Sequence, residues 1–363
     1  MIITSVRTAA FRNLADTTVN AAAKNIFLVG ENGQGKTNFL EALYVCAYAS
    51  SFRGVHDREI ARNGHRNFSV EINLSNQSNV IIKFEESKKT VCIDGKKAID
   101  RKDLLAVIPC IVFCHEDMEF VAGSPERRRW FFDQVLSLYD PVYLDDLRSY
   151  RRVLKSRNSV LRDHALHKLN GNTETLLDAL DQQSALYGVR LMEKRDRAAI
   201  LFSGIFESLY REVSGIEGVN VQYVPSWKNG GEKEAALFLQ NRRQAEMAAG
   251  ISLSGPHRDR YIFSRNGADF AASASTGQRR LLALLLRVAQ ARRFSEMTGK
   301  KPILLLDDVL LEMDGEKRRR FIAALPDYDQ AFYTFLPEEP FQHYRGEGTL
   351  VYYVTNGRTE AEE

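Results

Sequence analysis

Long apolar runs are missing from this 363-residue chain. None approaches the eighteen or so residues that a membrane-spanning helix requires, and the opening Met1-Ile-Ile-Thr-Ser-Val-Arg-Thr is too short for a secretory leader. No membrane partner and a cytoplasmic location are the expectations. Cysteine is scarce as well: Cys46, Cys92, Cys110 and Cys114 form no C-x-x-C pair and have no histidines at zinc-finger spacing. That argues against a disulfide framework or a structural zinc site and leaves small core thiols in a reducing compartment. There is no internal repeat and no low-complexity block. An excess of one charge is also absent. Fifty Lys and Arg face 47 Asp and Glu, and a net charge of +3 is too small to indicate nucleic-acid binding unless the basic residues cluster locally.

What is present is concentrated near residue 30. The apolar run Ile26–Val29 leads into Gly30-Glu31-Asn32-Gly33-Gln34-Gly35-Lys36-Thr37, the form G-x-x-x-x-G-K-T, and Asn38 to Tyr44 continues with Leu40, Leu43 and Tyr44 on one helical face. A strand, a glycine loop and a helix in that order form a phosphate cradle. Glycines let backbone N–H groups converge on phosphate oxygens, and the helix N-terminus adds partial positive charge. Lys36 would reach the β and γ phosphates of a nucleoside triphosphate, and the Thr37 hydroxyl would enter a Mg²⁺ shell.

Two further segments complete such a site. Ile303-Leu304-Leu305-Leu306-Asp307-Asp308 is a buried-strand pattern ending in two carboxylates, with Asp307 suited to a Mg²⁺ ion and Asp308 to polarising an attacking water. Ser275-Thr276-Gly277-Gln278 opens a Leu-rich helix 32 residues before Asp307. Alone, it reads as ordinary helix capping; in this position, its N-terminus could accept a phosphate.

Around these segments the chain reads as strands near 2–10, 68–74, 80–84, 91–93 and 108–113, with a hairpin turn at Asp94-Gly95. Ser124-Pro125 then starts a helical stretch to about Val213. A strand at 219–224, a loop at Lys228–Gly231 and a helix from Glu232 to Ala249 capped by Gly250 follow. The last third alternates strand (261–264), helix (277–294), strand (303–306), helix (315–324) and strands at 331–334 and 350–354. The tail from Asn356 to Glu363 reads as disordered. The fold class is α/β: a head formed by both chain ends, 1–115 and 250–363, with a mostly helical arm inserted at 116–249. Gly171, Gly188 and Gly204 break that arm, which shows no sustained heptads.

Phosphate loop, S-x-G-Q and strand-D-D, in that order, resemble the ATP-binding-cassette ATPases. In these, the S-x-G-Q loop of one subunit closes on ATP held by another, so the resemblance implies a homodimer on ATP binding, with Ser275, Gly277 and Gln278 acting in trans. Leu311-Glu312-Met313-Asp314 resembles the loop that communicates across that dimer. Thr334 stands where a γ-phosphate-sensing histidine is usual. Asp308 is one methylene shorter than the usual glutamate, which suits slow hydrolysis used as a timer.

Within that class the chain is similar to the RecF family over nearly its whole length. Phe11-Arg12-Asn13, the loop through Asn38, Phe113 with Glu116-Asp117, Gly123-Ser124-Pro125, Arg128-Arg129, Phe131, Asp133, Tyr150, Leu154, Arg157-Asn158 and Gly255-Pro256-His257-Arg258-Asp259 carry the resemblance. It departs from the family pattern at His115, Ser156, Arg260 and Ser273. The resemblance implies ATP and Mg²⁺ as cofactors and places Arg12 and Asn13 on the adenine and ribose side. It also implies a dimer that clamps double-stranded DNA beside a single-strand gap, slow DNA-stimulated hydrolysis that releases it, and RecO and RecR as partners in loading RecA. Competing readings are a chromosome-organising ATPase, which needs long coiled coils, and a P-loop kinase or GTPase, which has no use for S-x-G-Q and for which no N-K-x-D guanine motif is present. A transporter is disfavoured by the separation of 238 positions from Thr37 to Ser275.

From Arg127 to Arg162, nine Lys or Arg face four Asp. At helical spacing Arg148, Arg151, Arg152, Lys155 and Arg162 share one face, with Tyr143, Leu147, Tyr150, Leu154 and Leu161 on another. The stripe is a DNA-backbone candidate; a solvated helix surface is the bland alternative. A metal site at His164 and His167 is not expected, because carboxylate and cysteine partners are absent.

Overall fold

The computed structural model describes residues 1–98, 100–166, 173–228, 230–310 and 313–362. The Leu311-Glu312 half of the communicating loop, His167, Gly171, Asn229 and Glu363 lie outside the described residues.

The chain divides into two compact units, Met1–Asp117 with Leu286–Glu363, and Met118–Leu285. The first is built on a six-stranded sheet in the order Arg358–Ala361, Thr349–Thr355, Asn25–Val29, Gln330–Phe335, Ile303–Leu306, Cys110–Phe113. All neighbours run parallel except the terminal hairpin. Ile303–Leu306 and Cys110–Phe113 are buried at every position, which is why they read as continuous apolar runs with no alternation. A second, antiparallel sheet runs Thr17–Asn20, Ile3–Ala9, Phe68–Leu74, Asn79–Glu85, Lys88–Ile93, Lys96–Lys97. Its central strands alternate buried with partly exposed residues, as expected with one face on the core.

The phosphate-loop helix, Lys36–Tyr48, touches strands of both sheets and is buried all round from Phe39 to Tyr48. The single apolar face read from its sequence is therefore too narrow. Gln330 joins the sheets through its fully buried amide: the two hydrogens of Nε2 are shared among the carbonyls of Ile3 (3.0 Å), Ala21 (2.6 Å) and Ala23 (2.9 Å), and Oε1 accepts from Ile3 N at 2.8 Å. These partners satisfy an amide that would be costly to bury unpaired.

The tail expected to be disordered is a strand. Asn356 and Gly357, with φ of 51° and 79°, form a two-residue turn, and Arg358–Ala361 pairs back onto Tyr352–Thr355. Asn-Gly is the residue pair such tight turns favour, and this signal outweighs the polar composition.

The second unit holds the helices Pro125–Tyr139, Pro141–Ala165, Thr173–Ser214 and Glu232–Ala249. Its three-stranded sheet pairs Arg260–Arg265 with Val219–Val224 along its length. That ladder ties residues 260–265 to this unit, and the return to the first falls at Leu286, inside the helix Thr276–Thr298, beyond the position 250 read from sequence. Gly188 and Gly204 do not break the arm, because both lie within the 42-residue helix Thr173–Ser214. A Cβ at Gly188 would come within 2.5 Å of the Trp227 ring, so that glycine permits close packing.

Candidate nucleotide site

The phosphate loop connects the central strand Asn25–Val29 to the buried helix, and Gly35 at its end has a φ of 119° that L side chains avoid. Lys36 is 4% exposed; its ammonium donates to the carbonyls of Gly30 (2.6 Å) and Glu31 (3.1 Å). A buried cation needs such partners, and these hold it beneath the loop.

Parallel pairing of Ile303–Leu306 with Gln330–Phe335, and of the latter with Asn25–Val29, brings the carboxylates to the loop. Thr37 Oγ1 donates to Asp307 Oδ1 at 2.8 Å. Thr334 Oγ1 lies 2.8 Å from Asp308 Oδ1 and 3.3 Å from Asp307 Oδ1, and it accepts the Asp308 amide at 2.7 Å. Asp308 has a φ of 49°, a left-handed conformation that Asp tolerates better than most residues. Burial pushes Asp307 up to about 7; the Thr37 hydrogen bond opposes this, and the Asp308 charge adds to it. The Thr37 hydroxyl and Asp307 carboxylate are hard oxygen donors of the kind Mg²⁺ takes, and a cation would relieve the desolvation penalty on the partly buried carboxylate.

Sequence reasoning missed Glu41. It is fully buried on the phosphate-loop helix, and Arg12 grips it with two bonds of 2.9 Å while Ser51 and Arg53 contact the same carboxylate. Arg12 also donates to the Glu59 carbonyl at 2.6 Å, so its guanidinium is engaged with the helix support. Arg53 donates to Asn38 Oδ1 at 2.8 Å; Asn38 Nδ2 donates to Asn13 Oδ1 at 2.7 Å; Asn13 Nδ2 donates to the Gly33 carbonyl at 3.3 Å. Arg12, Asn13 and Asn38 thus brace the loop from its side. The available signal was a lone glutamate in the apolar run Phe39-Leu40-Glu41-Ala42-Leu43, since a charge there must be paired. On the opposite side, Gln34 accepts through Oε1 from the Asn356 amide (2.6 Å) and through its carbonyl from the Gly357 amide (2.8 Å). Glu31 and Asn32 are exposed on the loop.

Ser275 and Gln278, in the second unit, cap each other. Ser275 N donates to Gln278 Oε1 at 2.8 Å, and Gln278 N donates to Ser275 Oγ at 3.3 Å. Ser275, Thr276 and Gly277 are exposed at the start of the helix.

Arg151, Arg152, Lys155 and Arg162 are exposed on the helix Pro141–Ala165, with Arg148 half-buried beside Asp145 at 4.0 Å. One of the nine Lys and Arg of that run, and two of its four Asp, are buried. Arg157 is 1% exposed and pairs with Asp181 and Glu246, both at 2.7 Å. Asp259 of the G-P-H-R-D segment is likewise structural. It accepts from Arg195 Nη1 and from the Ser226 amide, each at 2.8 Å, and Arg195 also binds Asp133 at 2.7 Å. His115, Ser156, Arg260 and Ser273 are all exposed. Among the described residues, no helix is long and apolar enough to cross a membrane, and no cluster of His, Cys, Asp or Glu could hold a metal alone.

A phosphate loop on a central parallel strand, with an Asp pair two strands away, defines a P-loop ATPase head of the class shared by ATP-binding-cassette and chromosome-organising proteins. The family model described as "RecF/RecN/SMC N terminal domain" matches residues 2–357. The DNA replication and repair protein RecF of Treponema pallidum is 43% identical over 96% of this chain and 97% of its own length, and that of Bacillus mycoides is 32% identical over 100% and 99%. A solved structure of the recombination mediator protein RecF with ATP, from the RecFOR pathway, superposes with a TM-score of 0.89 at 25% identity, covering 99% of this chain and 97% of the other. A solved Smc head, TM-score 0.55 at 11% identity with 99% and 97% covered, shows the fold alone. The chain belongs to the RecF family of DNA replication and repair proteins.

Proposed function

We propose that the chain is an ATP-driven switch acting on DNA. The observation that carries this reading is the hydrogen-bond chain Thr37–Asp307–Thr334–Asp308 beside Lys36. The loop amides and Lys36 bind the β and γ phosphates, and Arg12 and Asn13 hold the loop on the adenine and ribose side. Thr37 and Asp307 hold Mg²⁺, which when bound neutralises phosphate charge. Asp308 orients the attacking water, and its short side chain keeps hydrolysis slow. The exposed, self-capped turn at Ser275, Gly277 and Gln278 serves the nucleotide of a second copy, so ATP closes a homodimer. In this reading the nucleotide head is drawn from both chain ends and the arm is the helical insertion between them, the compact units dividing after Asp117 and at Leu286.

The closed dimer clamps double-stranded DNA beside a single-strand gap, with Arg151, Arg152, Lys155 and Arg162, and Arg148 behind them, on the phosphates. Hydrolysis releases it. The family's name and the RecFOR pathway of the solved relative support RecR and RecO as partners in loading RecA. Gel filtration with and without ATP tests the switch. Ser275→Arg should keep ATP binding and remain monomeric, and an ATP-induced dimer surviving that change would overturn the proposal. Charge reversal at Arg152 and Lys155 should weaken duplex binding and flatten its salt dependence.

A further inference from the structure

The second unit contains a cavity of about 470 Å³, of whose lining only Arg151 has a role above. Three helices and the G-P-H-R-D turn contribute to it. Its inner wall carries Asp133 and Arg195, locked together by the buried ion pair, so this wall is preorganised. Three more guanidinium groups line it: Arg127, Arg129 and Arg151. Arg129 donates to the Asp259 carbonyl at 2.8 Å, and Arg151 reaches Asp133 at 3.3 Å while staying 58% exposed. Among the described residues, Glu126 is the only lining carboxylate besides the paired Asp133, so the cavity is net positive.

Trp130 lies on the same rim, 38% exposed although it is an indole, and stacks on Phe120 at 5.7 Å. A flat aromatic surface beside several guanidinium groups is what a nucleobase with its phosphate recognises, through stacking and bidentate hydrogen bonds. Arg151 belongs both to this cavity and to the exposed basic stripe of its helix, so a strand whose phosphates follow the stripe arrives at the cavity mouth. That continuity favours a nucleotide over an acidic peptide.

We infer that this cavity binds one unpaired nucleotide unit, its base against Trp130 and its phosphate between Arg127 and Arg151. Its source is a strand end or an unstacked residue of DNA, or a free nucleotide. The inference rests on the DNA reading for the strand as source, and on the cavity alone for the chemistry.

Tryptophan fluorescence reads the outcome, because the only other tryptophan, Trp227, is 3% exposed. Wild type, Arg127→Gln, Arg151→Gln and Trp130→Phe are titrated with a short 5′-phosphorylated oligothymidylate, the same strand without phosphate, dTMP, and a Glu-rich peptide; melting curves check the fold. The phosphorylated strand should quench wild type, with affinity at least tenfold weaker in each arginine variant and the quench lost in Trp130→Phe. Quenching by dTMP with the same arginine dependence identifies the free nucleotide as sufficient; quenching by the strand but not by dTMP assigns the strand. Quenching indifferent to both arginine changes, absent for every nucleotide, or produced by the peptide alone would overturn the inference. Blunt-duplex binding in a gel shift without any quench removes the cavity and leaves the DNA reading. Loss of all DNA binding while dTMP still quenches does the reverse.

Discussion

The Thr334 hydroxyl accepts the Asp308 amide at 2.7 Å and lies 2.8 Å from that residue's own carboxylate. One side chain thereby fixes both the backbone and the carboxylate of a residue held at a φ of 49°. Thr334 occupies the position where a nucleotide sensor is expected by resemblance; its contacts are those of a positioning residue.

Thr334→Val should therefore lower ATP turnover at least tenfold, with ATP affinity changed only a fewfold, and should cost about 1–3 kcal/mol of stability by stranding buried polar groups. Thr334→Ser should recover most of both. Steady-state hydrolysis and nucleotide titration separate the effects, and wild-type turnover in the valine variant would refute the positioning role.

Gly357 meets the phosphate loop where no side chain fits. A Cβ there would stand 1.8 Å from the Asn13 carbonyl oxygen, at a φ of 79°. Gly357→Ala should destabilise the first unit by about 3 kcal/mol, combining steric clash and backbone strain, and weaken ATP binding because Gln34 loses its anchor. Urea unfolding and nucleotide titration measure the two; unchanged affinity would show that the C-terminal hairpin is a passenger.

Arg195 is 2% exposed and bridges Asp133 and Asp259. Removing one partner leaves buried charge uncompensated, so Asp133→Ala should cost on the order of 3–5 kcal/mol. The double change Asp133→Ala with Arg195→Met should cost less than the sum of the single changes, a non-additivity that a double-mutant cycle by chemical denaturation reads directly.

His257 bonds Tyr150 at 2.8 Å, and burial lowers its pKa from 6.5 to about 4, with the cations of Arg258, Arg129 and Arg157 contributing. As pH falls, the unfolded chain takes up a proton there before the folded one does. Stability from this group is full above about pH 6.5 and is lost as pH falls towards 4. Melting temperature should drop across that window, and His257→Gln should flatten the drop. A variant with the wild-type profile would assign the pH dependence elsewhere.

Locally encoded features are legible in the sequence. The strands at 68–74, 219–224 and 303–306 and the helices at 232–249 and 315–324 match their observed bounds, because apolar pattern, a capping glycine or turn residues mark them within a few positions of chain. The C-terminal strand escapes a reading by composition, since its Asn-Gly turn outweighs its polar residues. The glycines of the long arm helix mislead for a different reason: a helix-weakening residue can be retained for the ring packed against it, as Gly188 is for Trp227.

The sequence by itself determined that Lys36 and Thr37 close a phosphate loop and that Asp307 and Asp308 end a buried strand, since both are short patterns of residue type. Tertiary structure decided what holds them. Glu41 is gripped by Arg12, Gln34 is pinned by the turn at Asn356-Gly357, and Thr334 secures Asp308. Tertiary structure also separated Arg157, consumed in a buried ion pair, from Arg151 and Arg152 on the surface of the same helix. Among these contacts Asn356 and Gln34 are 322 positions apart, and whether a charge is spent inside or offered outside depends on what folds over it.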